Sequence, residues 1–599
     1  MLKSNIKIKN GNPLLYIDGR RTNAMAYTTY FEERSCYLDF IKAGYRIFFV
    51  NVSFTTAPIN NQTGFTPFRI GAFEDPDRPD YSEFEDAVRN ILNACPDAVI
   101  FPRIYVSMPK RWIDSHPDDV VFTPGSGARE VLFSPTFRQD GEALLLRLVR
   151  HIKNADYASR IGGWQICGGQ TQEWFHHDLN GSLGPAATRP YADWVKEEFA
   201  IDDASLPTKE NFVYRGEAFN DCENARRYSA FCNLGVAETL EHFAKVIKKE
   251  TDYRQIVGTF YGYAYENSCV LFGTHALRRL LDSEYLDFFS SPNAYTMNRA
   301  LGIDWADMIP VDSVKHHGKL CFIECDVRTY LTTGMQVARP NEYPDNIYMT
   351  KNGKSVWAGP PTVELSREAL RKSFAHQVAK GSAIWWFDMW GGWYRDPVLM
   401  QEMACMRRIC EERSMRSGND LSPEVVFFAD ERGYSNLYNC SPQLKGIKET
   451  RLAMGNTGVP YDSCMVEDAD AILRRYKAAV FVMPLPSEAG VHAMELCDRM
   501  GIPYLCATVE HYKLTVDEIR DFYRANGLHC YTEEKDVVYV GNGVVALHCA
   551  TLGEKKIKLP CPCRVTPLLG MEGGTQVTDL IILPMKQYGT VLLEAVPVE

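Results

Sequence analysis

Two glutamates have the types and positions needed for acid and nucleophile chemistry. Glu173 lies in the segment Ile161–Trp174 just beyond a short apolar run, and Glu324 closes the apolar run Lys319–Glu324. In a (β/α)8 barrel the carboxyl ends of all strands meet at one face, so residues far apart in sequence can approach each other there. Glycoside hydrolysis needs one carboxylic acid to protonate the leaving oxygen and a second carboxylate at the anomeric carbon. The pair therefore predicts a glycosidase-type site.

The elements that would position this pair alternate between apolar runs and stretches of helical periodicity. Eight candidate strands occupy the first two thirds of the chain: Asn23–Tyr27, Ile47–Val52, Ala98–Tyr105, Gly163–Cys167, Ile256–Tyr261, Leu286–Phe289, Leu320–Glu324 and Ala383–Phe387. Helices are predicted between them at Phe31–Ala43, Tyr81–Asn93, Gly141–Asn154, Ala225–Lys249 and Arg367–Lys380. An open doubly wound sheet is the competing architecture, but no glycine-rich dinucleotide or Walker loop follows an early strand. The pattern favours an α/β chain with a closed TIM barrel.

The chain divides into three predicted domains. Residues 1–415 form the barrel, 416–525 repeat strand and helix patterns typical of a small flavodoxin-like α/β domain, and 526–599 show short alternating runs typical of an antiparallel β domain. Two long irregular stretches, 178–212 and 330–363, follow the fourth and seventh strands. Long loops at the carboxyl face of a barrel usually build a binding site.

Composition excludes several functional classes. The 599 residues carry a formal net charge of −11, which argues against nucleic acid or an anionic membrane as a partner and fits a neutral or weakly charged substrate better. Neither a secretory signal nor a spanning segment is evident, so we expect a cytoplasmic protein, or a periplasmic one if a signal was removed. The 18 cysteines are scattered among apolar runs, as reduced core residues are. Cys561 and Cys563 lack the usual metal spacing, so no metal or other cofactor is predicted.

A glutamate after the fourth strand and another at the seventh resemble the large clan of retaining (β/α)8 glycosidases. The three-domain plan is most similar to glycoside hydrolase family 42, the trimeric β-galactosidases, and related three-domain β-mannosidases fit about as well. This resemblance implies that Glu173 is the acid/base and Glu324 the nucleophile, with net retention, no cofactor and a homotrimer formed through the second domain. Burial should raise the pKa of the acid, and donors around Glu324 should keep that carboxyl ionised.

Three further residues take roles from the resemblance. Gln172 stands where the clan usually has an asparagine before the acid/base, and its amide could still donate to a sugar hydroxyl. Tyr295, after the sixth strand, matches the tyrosine that hydrogen-bonds the nucleophile. Arg103, in the third strand, resembles the arginine that reaches the nucleophile from below, where Glu324 or Asp326 could be its carboxylate partner. A structural salt bridge with a Glu or Asp elsewhere is an equal alternative.

Aromatic and polar residues at other strand ends are candidates for sugar contacts. The segment Trp385–Tyr394 is the densest aromatic run, and flat sugar faces stack on aromatic rings. Trp385 and Trp386 alternate in direction, so one faces the ligand at most; we assign Trp386 to substrate, with Asp388 binding hydroxyls. Trp174 and Asn23 are further substrate candidates by position, as are Tyr261 and Tyr263. His176 and His177 are better explained as loop contacts than as a metal pair.

The sequence thus predicts a retaining exo-β-glycosidase acting on terminal neutral sugars, β-galactosidase-like. A β-mannosidase of the same architecture stays open. So does a non-catalytic carbohydrate-binding barrel, which would lose nothing on changing either glutamate. A metal-dependent (β/α)8 hydrolase is disfavoured by the lack of His-x-His after the first strand.

Overall fold

The computed structural model describes residues 1–60, 63–123, 127–176, 183–202, 204–266, 269–340, 342–343, 357–413 and 421–598. Within them, eight parallel strands close into a barrel and pair in chain order, the last with the first. All eight are buried on both faces. Their bounds are Met25–Thr29, Ile47–Ser53, Val99–Tyr105, Gly163–Cys167, Ile256–Phe260, Phe288–Pro292, Leu320–Cys325 and Ala383–Asp388. The predicted TIM barrel is confirmed.

Helices surround the barrel because each presents an apolar stripe to the strands. In Ser82–Ala94, for example, the buried residues Phe84, Val88 and Ile91 recur at helical spacing. Caps fix two helix starts: the Ser134 hydroxyl accepts from the Phe137 amide, and the Thr362 hydroxyl from the Leu365 amide. The α-helices of this layer are Tyr37–Lys42, Ser82–Ala94, Lys110–Ser115, Pro135–Asn154, Thr188–Phe199, Glu223–Glu250, Leu277–Asp282, Val311–His316, Met335–Ala338, Val363–Lys380 and Pro397–Arg413.

An antiparallel sheet that the sequence analysis did not predict covers the amino end of the barrel. It consists of Ser4–Lys9, Asn12–Ile17 and Arg20–Arg21. The Leu2 amide donates to the Ile161 carbonyl, and the Ser4 amide donates to the Arg254 carbonyl, which ties the sheet to the starts of the fourth and fifth strands. A smaller hairpin, Val120–Thr123 with Gly127–Glu130, lies after the third strand.

The barrel interior is filled by aromatic rings rather than by branched aliphatic residues. Four fully buried phenylalanines form one layer, with ring centroids 4.9 to 6.4 Å apart; they are Phe49, Phe101, Phe288 and Phe322. Glycines make room for them, since a Cβ on Gly258 would lie 2.3 Å from the Phe288 ring. We call this layer the aromatic floor, because Glu324 stands two residues beyond Phe322 toward the carboxyl end of its strand.

A second, parallel sheet follows the barrel. Its strands lie in the order Tyr461–Met465, Val425–Ala429, Ala478–Val482, Tyr504–Ala507. Its helices are Glu431–Tyr434, Pro442–Gly455, Ala469–Ile472, Glu488–Met500 and Val516–Ala525. The Lys380 ammonium joins this unit to the barrel, since it lies 3.0 Å from both Asp312 and Asp462.

A third, antiparallel sheet of five strands ends the described chain. Its strands are Val537–Gly541, Val544–His548, Gly553–Leu569, Gln576–Met585 and Thr590–Pro597. The Tyr539 hydroxyl donates to Asp304 of the barrel at 2.7 Å, so this sheet is also anchored to the first unit. No helix in the described part of the chain is long and apolar enough to span a membrane.

Candidate active site

Glu173 is carried by a tight turn just after the fourth barrel strand. The Gln170 amide donates to the Phe175 carbonyl at 2.9 Å, and the Trp174 amide donates to the Gly168 carbonyl at 2.7 Å. Thr171, Gln172 and Trp174 have φ values of +56°, +68° and +63°. Left-handed conformations at residues other than glycine cost on the order of 1 to 3 kcal/mol each and cluster at functional sites. The turn therefore holds Glu173 in place at an energetic cost.

Two hydroxyl groups bind the Glu173 carboxylate. Tyr263 donates to Oε1 at 2.8 Å, and Thr171 donates to Oε2 at 2.5 Å. Burial raises the pKa of Glu173 to about 7, although both hydrogen bonds and the charge of Arg103 act to lower it. At neutral pH this carboxyl is therefore poised to hold or release a proton, as a general acid and base must.

Glu324 lies at the end of the seventh strand and is 2 % exposed. Burial and then the negative charge of Asp326 raise the pKa of its carboxyl well above the usual range; Arg103 lowers it and Glu173 raises it further. The two glutamates therefore act on each other within one site. Among the described residues none donates a hydrogen bond to Glu324, so the expectation that donors keep it ionised is wrong. The charges of Arg103 and Arg299 favour the ionised form, but burial and Asp326 outweigh them and the pKa stays raised.

Arg103 rises from the third strand into the barrel interior, above the aromatic floor. Its guanidinium carbon lies 4.6 Å from the Trp385 ring centroid and 5.2 to 5.6 Å from four other rings, those of Tyr30, Tyr105, Phe260 and Phe387. The side chain is 1 % exposed, and its Nε and Nη1 have no hydrogen-bond partner in the described structure. Its charge acts on both glutamates, whose pKa values it lowers. Among the described residues Arg103 forms no ion pair within 4.0 Å, so the structure shows neither a direct contact with Glu324 or Asp326 nor a salt bridge elsewhere.

Asp326, two residues beyond Glu324, is clamped between two arginines. Arg299 donates to its Oδ1, and the Arg328 Nη1 donates to its Oδ2 at 2.5 Å. Arg299 also donates to the carbonyls of Asn293 and Ala294. The loop reaches this position through three successive left-handed residues, Met297 to Arg299. An ordered cationic group thus borders the seventh-strand glutamate.

Tyr295 stands at the rim of the same group. The Arg299 guanidinium lies 4.3 Å from the Tyr295 ring centroid, and the negative charges of Asp326 and Glu324 contribute to raising the pKa of its hydroxyl, after burial. Its ring centroid is 6.5 Å from that of Trp357, which is 5.5 Å from that of Trp390. These three rings, here called the aromatic wall, could stack against a sugar. The structure brings Tyr295 near Glu324 without a hydrogen bond between them.

Trp386 and Asp388 do not reach this site. The Trp386 indole is fully buried and donates to the Tyr45 hydroxyl at 2.9 Å, on the helix side of the strand. Asp388 has the same parity and accepts from the backbone amides of Gly392 and Trp393 and from two side chains, Tyr27 and Cys36. Both assignments to substrate are wrong, because alternation sends Trp385 and Phe387, not their neighbours, into the barrel.

The remaining candidates fall on the walls or at the wrong end. Trp174 is fully buried, its indole donates to Thr259 at 3.0 Å, and it packs toward Phe243 on the helix layer, so it cannot contact a sugar. Asn23 precedes the first strand, and its amide donates to the Arg407 carbonyl at the amino end of the barrel, so this assignment is wrong as well.

Gln172 and the histidine pair have different outcomes. Gln172 is 1 % exposed, and its amide nitrogen lies 3.4 Å from the Ser107 hydroxyl, while its Oε1 has no partner in the described structure. His176 is buried, with its ring 4.5 Å from that of Phe133. His177 lies outside the described residues. No group of three potential metal ligands occurs in the part of the chain that the structure describes.

Sequence reasoning missed several residues of the cluster. Arg299, Arg328 and Trp357 were not singled out, and Tyr263 was only a strand-end candidate although it donates directly to Glu173. A usable signal was present for the arginines, since charged residues beyond the ends of the sixth and seventh strands must lie at the barrel mouth. Trp357 lies in the long stretch 330–363 that was predicted to build a binding site, but nothing singled out this residue within it.

Comparisons with known proteins give the fold. No protein-family model matches the sequence, and no curated protein is similar enough to match it. Solved structures do match, among them a β-galactosidase from Bacillus circulans sp. alkalophilus, with a TM-score of 0.64, 12 % identity, and 96 % of this chain and 99 % of that chain covered. A catalytic mutant of a GH42 β-galactosidase from G. stearothermophilus matches with a TM-score of 0.60 and 10 % identity, covering 94 % of this chain and 95 % of that chain. A GH42 exo-carrageenase from Bacteroides ovatus matches with a TM-score of 0.59 and 12 % identity, covering 99 % of this chain and 84 % of that chain.

Proposed function

We propose that this chain, which has the fold of the family 42 β-galactosidases, is a retaining exo-β-glycosidase acting on β-galactoside-type sugars. One observation carries the proposal. Glu173 follows the fourth strand of a closed barrel and Glu324 lies at the end of the seventh. The charge of Glu173 acts on the Glu324 carboxyl, and the groups that surround the two carboxyls differ. Glu173 has two hydroxyl partners and a pKa of about 7, whereas Glu324 faces arginines. Two carboxyls with distinct environments can divide the acid and nucleophile roles.

In the first step Glu173 gives its proton to the glycosidic oxygen while Glu324 attacks the anomeric carbon. The C–O bond to the leaving group breaks, and a bond forms between the anomeric carbon and a Glu324 oxygen. Positive charge develops on the sugar. Glu324 attacks as a carboxylate, a form that the charges of Arg103 and Arg299 favour and that burial and Asp326 oppose. Tyr263 and Thr171 hold the Glu173 carboxylate that remains after proton transfer.

In the second step Glu173 acts as a base. It takes a proton from a water molecule, whose oxygen attacks the anomeric carbon and releases Glu324, so that the configuration is retained overall. A pKa of about 7 suits both roles, since the group must be protonated in the first step and unprotonated in the second.

The experiment is hydrolysis of a panel of para-nitrophenyl glycosides, including the β-galactoside and β-mannoside, by the wild-type protein and its Glu173→Ala and Glu324→Ala variants. We expect the β-galactoside to be cleaved and kcat to fall by several orders of magnitude in both variants. Azide should rescue Glu173→Ala as the β-galactosyl azide and Glu324→Ala as the α-galactosyl azide, which assigns the two roles.

Glu33→Gln is a matched control, because this carboxylate follows the first strand but pairs with Arg339. Preference for the β-mannoside would overturn the sugar assignment alone. Activity that survives loss of both glutamates, or no activity on any glycoside, would overturn the proposed function.

We also propose that the protein assembles as a homotrimer through its second sheet, as the three-domain resemblance implies. Light scattering should give three times the chain mass of 68.0 kDa at micromolar concentration. A monomer there would contradict this proposal without touching the catalytic one.

A further inference from the structure

Three arginines border the two glutamates, and their surroundings differ. Arg103 lies deepest, inside its cage of five rings. Arg299 is fully engaged, since all three of its nitrogens donate to carbonyl or carboxylate oxygens. Arg328 has spare capacity: Nη1 donates to Asp326, while Nε and Nη2 have no partner in the described structure.

The spare donors of Arg328 are energetically unfavourable as they stand. The residue is 5 % exposed, with its guanidinium carbon 4.4 Å from the Trp357 ring centroid and 5.3 Å from that of Trp393. Leaving a buried donor unsatisfied costs about 1 to 3 kcal/mol, and more when it belongs to a charged group. A polar ligand that reached both nitrogens would remove this cost.

The charges at the site do not cancel. In the reacting state, with Glu173 protonated as the acid and Glu324 ionised as the nucleophile, Glu324 and Asp326 supply two negative charges and the three arginines supply three positive ones. The surplus is one positive charge, in a chain whose formal net charge is −11. A positive charge gathered against that background, in a low-dielectric site, favours an anionic ligand.

The position of Arg328 connects this surplus to the sugar. Trp357 packs on Arg328 from one side and belongs to the aromatic wall with Tyr295 and Trp390. Trp357 is half-buried and covers one side of the Arg328 guanidinium, so a substituent on a sugar stacked against that wall reaches Nε and Nη2 only if this ring is displaced. A guanidinium presents two parallel donors that match a carboxylate or a sulfate oxygen pair.

Resting on the proposed glycosidase function, we propose that the substrate is a β-linked sugar carrying an anionic substituent, a sulfate ester or a carboxylate, and that Arg328 binds this group. The proposal replaces the neutral sugar expected from overall composition, since the total charge of a protein does not report the charge of one cleft.

The test measures kcat/KM for four aryl glycosides: the β-galactoside, its 4-sulfate, its 6-sulfate and the β-galacturonide. The enzymes are wild type, Arg328→Gln and Arg328→Lys. We expect kcat/KM for one anionic glycoside to exceed that for the neutral one at least tenfold in wild type. Arg328→Gln should lower this anionic-to-neutral ratio at least tenfold, beyond any loss that all four substrates share through the contact of Arg328 with Asp326. The sulfated and carboxylated arms identify which anion is bound.

Arg328→Lys keeps the charge but not the paired donors, so it should retain a reduced preference, and it carries the test if Arg328→Gln does not fold. Equal losses on all four substrates, or a neutral substrate preferred by wild type, would overturn the inference and leave the glycosidase intact. If no substrate is cleaved, the proposed function fails, and calorimetry decides the inference separately. Galactose 6-sulfate, galactose 4-sulfate or galacturonate must then bind more tightly than galactose, in an Arg328-dependent manner, or the inference is wrong.

Discussion

Replacing Tyr263 by phenylalanine should move the acid/base group to a higher pKa. The Tyr263 hydroxyl donates to Glu173 at 2.8 Å, and this bond favours the ionised carboxylate. Without it the proton is held more tightly, so the active, protonated form of the acid persists to higher pH. If the tyrosine were only a wall residue, loss of its hydroxyl should leave the pKa of Glu173 nearly unchanged.

The size of the shift follows from the bond. A hydrogen bond to a charged group contributes about 1.5 to 3 kcal/mol, and about 1.4 kcal/mol corresponds to one pKa unit, so we expect at least one unit. The pKa of Glu173 should therefore rise from about 7 to about 8 or above. Water entering the vacated space would oppose the shift by lowering the cost of burial. That opposition is small, because phenylalanine keeps the ring and only the hydroxyl is lost.

The assay is the pH dependence of kcat/KM, whose basic limb reports the acid in the free enzyme. An alkyl β-galactoside is preferable to an aryl one, since a poor leaving group makes proton donation necessary. Tyr261→Phe is the matched control. The Tyr261 hydroxyl donates to the Gly273 carbonyl and accepts from the Ala276 amide, so its loss should leave the pKa of the basic limb unchanged. A basic limb that stays near pH 7 in Tyr263→Phe, or moves down, would refute the reasoning.

Three other changes test separate parts of the structure. Glu173→Gln should raise the free energy of unfolding by about 3 kcal/mol above pH 7. The reason is that the pKa of Glu173 rises from 4.5 to about 7 on folding, so the wild-type protein loses stability as the pH rises between these two values. Urea unfolding should show no such gain for the variant below pH 4. Asp388→Asn should lower the free energy of unfolding by about 2 to 4 kcal/mol and leave KM unchanged, because the new amide N–H group would face backbone N–H groups that now donate to the carboxylate. A large change in KM would indicate that Asp388 does contact the substrate. Arg299→Lys should lower kcat about tenfold with little change in KM, because lysine cannot bind Asp326 and two carbonyls at once. Unchanged kinetics would show that Arg299 does not act on Glu324 through Asp326.

The order of the barrel strands could be predicted from the sequence, but the face of each side chain could not. Strands buried on both faces read as continuous apolar runs, so nothing in the pattern sets the phase of alternation. Trp385 and Trp386 are equally apolar neighbours, and only packing decides that the first contacts Arg103 and the second contacts Tyr45. The assignment of Trp386 failed for that reason.

The ends of strands were the second weak point. The first strand begins at Met25, two residues later than predicted, but Asn23 would lie at the amino end of the barrel with either boundary, opposite the face where the glutamates meet. The glutamates were less sensitive, because each follows a long apolar run at the carboxyl end of its strand. The cationic group around Asp326 depends on loop conformation, including left-handed residues that have no side-chain signature in Met297 or Arg299.

The aromatic floor has a consequence for how a glycosyl enzyme would be resolved. In the described part of the chain, the packed rings of Phe49, Phe101, Phe288 and Phe322 close the barrel interior below the glutamates. We therefore expect water to enter through the mouth that the leaving group vacates. Any alcohol present at that mouth competes with water for the same carbon. The barrel should therefore make transfer products as well as hydrolysis products, in a ratio set by the acceptor concentration outside.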